Sequence, residues 1–121
     1  MNNLKEILQV QGIVAAQKAF PNCPPPNVLR GLIIPKYEKP FWDIYAEYLC
    51  ALPANVFSLL AVDLLVWTQD LNWPGCDRII RQINCLPPSV RTQVISTARF
   101  NAQQENDDEW LYNLNLVFGS L

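Results

Sequence analysis

The segment PFWDIYAEYLCALPANVFSLL, residues 40–60, is followed by a second segment of the same pattern, PGCDRIIRQINCLPPSVRTQV, residues 74–94. The two align without gaps at an offset of 34 residues, and each begins with proline and carries a Leu-Pro pair at the same position. Apolar residues match at helical spacing on both sides of that pair. A period in the thirties built from helix, Leu-Pro turn and helix is typical of stacked helical hairpins, in which each hairpin buries its apolar face on the next.

The pattern continues weakly toward the end of the chain, where Trp110, Leu114 and Val117 form a partial third copy. Chance similarity among the leucine-rich helices of a compact bundle would produce the same matches, and both interpretations are all-α. We therefore expect an all-α protein, either of stacked antiparallel helical hairpins (HEAT-like) or a compact helical bundle. The helices expected in this part of the chain cover residues 41–52, 55–70, 73–85, 88–100 and 107–118, the second being central because residues 56–67 are apolar on almost every side.

The chain before the repeat has a different composition. Leu4, Ile7 and Leu8 begin an apolar stripe that predicts one helix from Asn3 to Phe20. Residues 21–26, which include three consecutive prolines, cannot be helical and are expected to form a stiff connector, after which a short helix is expected over residues 28–33. We divide the chain into residues 1–26, a helix with a proline-rich connector, and residues 27–121, a helical-repeat domain, which together form one globular unit. The first helix could dock on the repeat or pair with a second copy, so we expect a monomer or a homodimer.

Composition excludes several classes of enzyme. The 121 residues contain no His, which removes Ser-His-Asp and Cys-His catalysis and every His-containing zinc site. Four glycines leave no phosphate-binding glycine-rich loop. A net charge of −2 gives no overall field that would attract nucleic acid or an anionic membrane. With no signal-peptide pattern and no apolar run of about 20 residues, we expect a cytoplasmic protein that does not enter a membrane.

The four cysteines form no C-x-x-C pair, and we expect them to be buried thiols. The alternative interpretation is that Cys76 is a reactive thiol. It follows Pro74-Gly75 at an expected helix start, where the helix dipole would lower the thiol pKa. With no His to act as a base, a thiol enzyme is the weaker interpretation. We expect no enzymatic activity, no catalytic residue, no metal and no cofactor.

The inter-hairpin turn, residues 67–75, joins the two copies and has no counterpart after the second one. Its paired indole and amide groups suit a protein interface. The residues in this turn that we expect to contact a partner are Trp67, Gln69, Asp70, Asn72 and Trp73. In the alternative, purely structural interpretation, Asp70 or Asn72 caps the next helix while the two tryptophans clamp the turn.

Two charged groups are further candidates. Asp107, Asp108 and Glu109 begin the last expected helix, where an Asn106–Glu109 capping box and the helix dipole explain them; they could also contact a basic partner. Adjacent residues on a helix point about 100° apart, so they would not converge on a metal ion. An alternative phosphate-binding set consists of Arg78, Arg81, Arg91 and Arg99, which could instead form a solvated face.

Asp63 stands alone inside the apolar helix. A buried carboxylate needs a partner, and we expect an Arg from a neighbouring helix. Without such a partner Asp63 would face an opening and become a binding residue.

One motif carries a family resemblance. The runs Ile34 to Tyr37, Leu64 to Pro74 and Asp107 to Tyr112 resemble a small bacterial domain family of unknown function whose usual run is Leu-Leu-x-Trp-Leu-Gln-Asp-Met-Asn-Trp-Pro, followed by an acidic stretch and a Trp. The resemblance covers about residues 33–119. This chain departs from the pattern at Thr68, at Gly75-Cys76 and at Pro40-Phe41. The resemblance implies a helical-repeat domain without assigned catalysis, of a kind found among toxin-immunity genes.

These observations predict a protein-binding module. The resemblance, the size and the missing catalytic sets favour a cytoplasmic bacterial immunity or inhibitor protein, whose partner would be a cognate toxin and whose mechanism would be occlusion of the toxin's active site. The alternative is a nucleic-acid-binding helical repeat that uses the arginine face; the absence of lysine runs makes nucleic acid the minor interpretation.

Overall fold

Residues 4–119, the part of the chain that the computed structural model describes, fold into helices joined by short turns and contain no strand. The α-helices are α1 (Leu4–Val10), α2 (Ile13–Ala19), α3 (Pro26–Arg30), α4 (Trp42–Cys50), α5 (Ala54–Leu64), α6 (Cys76–Asn84), α7 (Pro88–Gln104) and α8 (Asp108–Phe118). Two 3₁₀ helices, Lys39–Phe41 and Leu65–Gln69, precede α4 and follow α5. The predicted all-α class is confirmed, and the helices form a compact bundle around one apolar core.

The sequence repeat is kept in the structure. Helices α4 and α6 begin at Trp42 and Cys76, and helices α5 and α7 begin at Ala54 and Pro88, so both pairs of starts differ by 34 residues. The prolines that precede α5 and α7 have nearly the same backbone angles, with φ −53° and ψ 145° or 142°. Equivalent helices lie against each other, α4 on α6 and α5 on α7. The Leu-Pro pair therefore sets the same corner in both copies of the repeat, from α4 to α5 and from α6 to α7.

Helix α8 does not repeat this arrangement. Trp110 is its third residue, whereas the aligned Trp42 and Cys76 are the first residues of their helices. The main contacts of α8 are with α7 and with the 3₁₀ helix Leu65–Gln69. The partial third copy seen in the sequence thus marks shared core positions, and its helix begins in a different register.

The single helix predicted for residues 3–20 is wrong, because the described part of this segment is two helices. Gly12, at φ +91°, lies in the left-handed region and separates α1 from α2. Asn3 lies outside the described residues. Both helices contact α4, and Leu4, Leu8 and Ala16 are buried. Within this chain the N-terminal segment therefore docks on α4.

Polar contacts secure this docking. Lys5 Nζ lies 3.1 Å from Glu38 Oε2, and Gln9 Nε2 donates to Tyr45 Oη at 2.6 Å. The Tyr45 hydroxyl in turn donates to Glu38 Oε1 at 2.7 Å. Burial acts to raise the pKa of Glu38, but the hydrogen bonds from Tyr45 and Lys5 and the Lys5 charge outweigh it and lower that pKa. The Glu38 carboxylate therefore remains ionised, and the positive charge of Lys5 compensates its charge.

Several other helix ends differ from the predictions. The short helix runs from Pro26 to Arg30, so it ends three residues before the predicted end at residue 33. The prediction that residue 26 is not helical is also wrong, because proline is well suited to the first position of a helix. Helix α5 stops at Leu64 because the chain tightens into the 3₁₀ helix, and Leu59, on the helix predicted to be central, is 61% exposed. Helix α7 continues past the predicted end at residue 100. The capping box is also wrong: the capping side chain belongs to Asp107, whose Oδ1 accepts from the Trp110 amide at 2.9 Å.

No helix among the described residues is long and apolar enough to cross a bilayer.

The Ile34–Lys39 turn contains two left-handed residues that are not glycine. Ile34 has φ +36° and Tyr37 has φ +67°. The Pro35 carbonyl accepts from Trp42 Nε1 at 2.9 Å and from the Glu38 amide at 3.3 Å. These bonds hold the turn in a conformation that side chains with a Cβ disfavour. The Tyr37 side chain, 99% exposed, contributes no packing to the turn.

We therefore expect Tyr37→Gly to be more stable than Tyr37→Ala by about 1 kcal/mol, because only glycine adopts a positive φ without a Cβ clash. Urea unfolding of the two variants beside the wild type measures this difference. Equal midpoints for the two variants would contradict it, because they would mean that residue 37 leaves the left-handed region in solution.

Candidate functional site

Trp67 closes the inter-hairpin turn from inside. Its side chain has no exposed surface, and its Nε1 donates to the Pro74 carbonyl at 2.8 Å. The bond spans the turn from its first residue to its next-to-last. Because Trp67 is wholly buried, it supports the turn and offers no surface to a partner in this conformation.

Trp73 is half-buried and lies nearer the surface. Its ring meets the ring of Trp42 edge to face, with centroids 5.4 Å apart and an interplanar angle of 80°. This is a favoured arrangement for aromatic pairs. Trp42 is itself fixed by its bond to Pro35, so Trp73 is held from behind by a buried side chain.

Asp70 and Asn72 organise the turn differently from the predicted cap. Asp70 Oδ1 accepts from the backbone amide of Asn72 at 2.9 Å, and the backbone carbonyl of Asp70 accepts from the backbone amide of Trp73 at 3.1 Å. The residue that precedes α6 is Gly75, which supplies no capping side chain. The prediction that Asp70 or Asn72 caps α6 is therefore wrong. The Asn72 side chain is exposed.

Helix α8 anchors the start of the turn through a buried polar group. Thr68 Oγ1 donates to the Leu65 carbonyl at 2.6 Å and accepts from Trp110 Nε1 at 2.9 Å. Asn113 Nδ2 donates to the backbone carbonyls of Thr68, at 3.0 Å, and Gln69, at 3.2 Å. The sequence pattern missed Asn113 as a turn-fixing residue. Its only sequence signal was Thr68, a hydroxyl where the resembled family has an apolar residue.

Gly75 is required by both conformation and space. It has φ +91°, and a Cβ built there would lie 2.6 Å from the Cβ of Ala46 and 3.1 Å from the carbonyl oxygen of Trp42. The close approach lets the turn lie directly on α4. Glycine is therefore the residue that brings the α6 side chains beside those of α4.

An open cleft of about 440 Å³ lies between the turn, α4 and α6. It is lined by Asp43, Leu71, Asn72, Trp73, Pro74, Gly75, Asp77, Arg78 and Arg81. The cleft unites part of the predicted partner-binding turn with half of the predicted arginine set. These two groups were separate hypotheses in the sequence.

The two arginines of the cleft differ in their partners. Arg78 Nε lies 3.1 Å from Asp43 Oδ1, and Arg78 Nη2 lies 3.4 Å from Asp43 Oδ2. This hydrogen-bonded pair raises the pKa of Arg78. Arg81 is exposed and forms no ion pair or hydrogen bond with the side chains described for residues 4–119. The cleft thus has one neutralised and one available guanidinium.

The other two arginines lie outside the cleft lining. Arg99 is buried, donates from Nε to Asn115 Oδ1 at 2.9 Å and also donates to the Gly119 carbonyl. Arg91 donates to Asn84 Oδ1 at 3.0 Å, and its guanidinium lies 5.8 Å from the ring centroid of Phe118. The structure therefore divides the predicted arginine face between fold-stabilising contacts and the cleft.

The acidic corner is also outside the cleft lining. Asp107 is occupied as the cap of α8, while Asp108 and Glu109 are exposed in the first turn of that helix. Residues 4–119 contain no group of three or more His, Cys, Asp or Glu side chains that could hold a metal ion. The position of Asp108 and Glu109 leaves them available to solvent.

Asp63 has the predicted arginine partner. Arg30 Nε lies 2.7 Å from Asp63 Oδ2, but both side chains are close to half exposed. The predicted burial of this carboxylate is therefore wrong, and the pair belongs to the surface class that contributes about 0–1 kcal/mol.

No cysteine whose pKa is shifted has a thiol activated toward the thiolate form. Burial, followed by the charges of Asp77 and Asp70, raises the pKa of Cys76 to about 12. The predicted lowering of this pKa by the helix dipole is wrong, because burial penalises the thiolate more strongly. Cys76 is buried as expected, whereas Cys23 and Cys50 are half-buried and Cys85 is exposed.

Comparison with known proteins identifies one family. A family model described as "Domain of unknown function (DUF5071)" matches residues 38–120. This stretch contains helices α4 to α8 and every residue that lines the cleft, and it leaves α1 to α3 outside. No curated protein and no solved structure matches the chain.

Proposed function

We propose that this chain, which belongs to the DUF5071 family of domains of unknown function, binds another protein and uses the cleft between α4 and α6 as its contact surface. The observation that carries this proposal is that Trp73, Asn72 and Arg81 line one cleft. Trp and Arg are the residue types most enriched among the side chains that dominate protein interfaces.

Rigidity of the cleft supports the proposal. Trp73 is backed by Trp42, the turn is bonded to α8 through Thr68, and Gly75 brings the turn directly onto α4. A surface ordered before binding loses less conformational entropy when the complex forms. The contribution of these contacts to affinity is therefore larger than that of the same side chains on a mobile loop.

The size of the surface is compatible with such a complex. A standard interface buries about 800 Å² on each partner. The surface of this protein is 6954 Å², so an interface of that size would cover only a small part of it and could include the whole cleft.

Our finer proposal is that the partner is a toxin whose active site the cleft surface covers, and that this takes place in the cytoplasm. The motif resemblance and the absence of His-based catalytic sets favour it. Occlusion needs no chemistry from the inhibitor, because a rigid surface that excludes substrate is sufficient. In that complex the available guanidinium of Arg81 and the half-buried indole of Trp73 would be the anchors.

The test is a capture experiment with charge-matched variants. We expect the wild type to capture a stoichiometric partner. Arg81→Glu should lower the affinity for that partner at least about tenfold, and Asn72→Ala should also lower it, since both exposed side chains line the cleft. Lys18→Glu is the matched control, because it makes the same charge change at an exposed position of α2. Equal capture by all four proteins, each with wild-type circular dichroism, would contradict the cleft as the contact surface.

The nucleic-acid alternative needs several arginines on one accessible face. Because Arg99 is buried and Arg91 contacts Asn84 and Phe118, the described structure offers only Arg78 and Arg81 together, and Arg78 is paired. A salt titration of any captured complex separates the two functions. Phosphate binding weakens linearly in the logarithm of the salt concentration, with a slope that counts the phosphates contacted.

A further inference from the structure

We infer that the Ile34–Lys39 turn is a second contact surface, and that it receives an acidic segment of a partner protein. The inference rests on the proposed protein-binding function. The residues that carry it are different from those that line the cleft. Three features of the turn carry it: its charge, its rigidity and its connection to the cleft.

The outward charge of the turn is positive. Lys36 and Lys39 are both exposed, and neither forms an ion pair within residues 4–119. The acidic residue between them, Glu38, is turned to the interior side, where Lys5 and the Tyr45 hydroxyl bind its carboxylate. The two lysines flanking Tyr37 are therefore uncompensated within the turn, in a chain whose net charge is −2.

The turn presents an exposed aromatic side chain on a backbone that hydrogen bonds hold in place. Tyr37 is 99% exposed, which is unusual for a large aromatic residue, and its backbone is held in the left-handed region. The bonds from Trp42 and Glu38 to the Pro35 carbonyl fix the backbone on both sides. Disfavoured backbone conformations that the surroundings enforce are concentrated at functional sites. Tyrosine supplies contact area with few rotatable bonds, so little entropy is lost when it is covered.

Trp42 connects the turn to the cleft. Its Nε1 bonds to Pro35 of the turn, and its ring packs edge to face on Trp73 of the cleft wall. One buried side chain thus supports both surfaces. An acidic protein segment suits this turn better than nucleic acid does, because two lysines neutralise far fewer phosphates than the 6–10 that strong duplex binding uses.

The test uses the isolated protein and defined probes. A blocked hexaglutamate peptide is titrated into ¹⁵N-labelled protein, with hexalysine as the charge-reversed probe and oligothymidylate as the nucleic-acid probe. We expect hexaglutamate to shift the amide signals of Lys36, Tyr37 and Lys39 first. The double variant Lys36→Ser, Lys39→Ser and the variant Tyr37→Gly should each weaken that binding by about tenfold or more.

Matched controls separate this turn from general charge effects. Lys18→Ser removes an exposed lysine of α2, and Tyr112→Ala removes an exposed tyrosine of α8; both should bind hexaglutamate as the wild type does. Shifts spread over all lysines, equal binding by all variants, or preferential binding of oligothymidylate at this turn would each overturn the inference. Loss of partner capture in the cleft variants, with no change on removing Lys36 and Lys39, would overturn the inference and leave the proposed function standing.

Discussion

Alanine at position 75 is expected to destabilise the protein by about 2–5 kcal/mol, the sum of backbone strain and a packing clash. Alanine at position 12 is expected to cost about 1–3 kcal/mol through backbone strain alone. Both glycines have φ +91°, but ψ is −14° at Gly75 and −176° at Gly12, so the backbone strain of an added Cβ is larger at Gly12. Only at Gly75 does the added Cβ also clash with other side chains, at 2.6 Å from Ala46 Cβ and 3.3 Å from Trp67 Cζ2. At Gly12 no atom beyond the neighbouring backbone lies within 4 Å of it in the described residues.

Urea unfolding of the two variants separates the two costs, because Gly12→Ala reports backbone strain alone and Gly75→Ala reports backbone strain and the packing clash. A loss at Gly75→Ala of no more than about 1–2 kcal/mol, the cost of a left-handed backbone alone, would show that α6 shifts away from α4 at little cost. That result would contradict a rigid cleft. Unchanged slopes of the free energy against urea would show that the unfolded state is equally compact in both variants.

The second large effect is expected at Trp67. Replacement by alanine should lower the free energy of unfolding by about 3–5 kcal/mol, as for other fully buried large side chains. Trp73→Ala is the matched control, because the same side chain is removed from a half-buried position a few residues away. Its loss should be smaller, dominated by the edge-to-face contact with Trp42, which is worth about 0.5–1.5 kcal/mol.

A double-mutant cycle links these two predictions. Removing Trp67 opens space beside residue 75, so the clash of Gly75→Ala should be partly relieved and the two effects should not add. Additive losses would mean that the clash arises from Ala46 and the Trp42 carbonyl alone. If Trp67→Ala were no more destabilising than Trp73→Ala, the burial of Trp67 would be contradicted.

These stabilities also decide which residues can test binding. A variant at Trp67 lowers the native population, so reduced partner capture by that variant would have two explanations. Arg81 and Asn72 are exposed, and changing them leaves the core intact. Functional experiments should therefore use these two residues, and unfolding experiments should use the tryptophans.

The amino-acid sequence by itself determined the all-α class and the order of the five helices α4 to α8. Prolines that end or begin helices, the Leu-Pro pair and the helical spacing of apolar residues are local signals, since they act through backbone geometry within a few residues. They were sufficient for the all-α class and for the offset of 34 residues that the helix starts keep. Helix ends were less well predicted where a glycine, as at Gly12, changed the backbone direction.

The tertiary structure alone decided which side chains share a site. The sequence grouped Arg78 with Arg99, yet the fold pairs Arg78 with Asp43 and buries Arg99. Trp67 and Trp73 have the same chemistry and nearby positions, but one is buried and the other lines the cleft. Helical periodicity shows which residues share a face of one helix, but not which neighbouring helix covers that face. Burial and ion pairing depend on those neighbours, and they follow only from the packed structure.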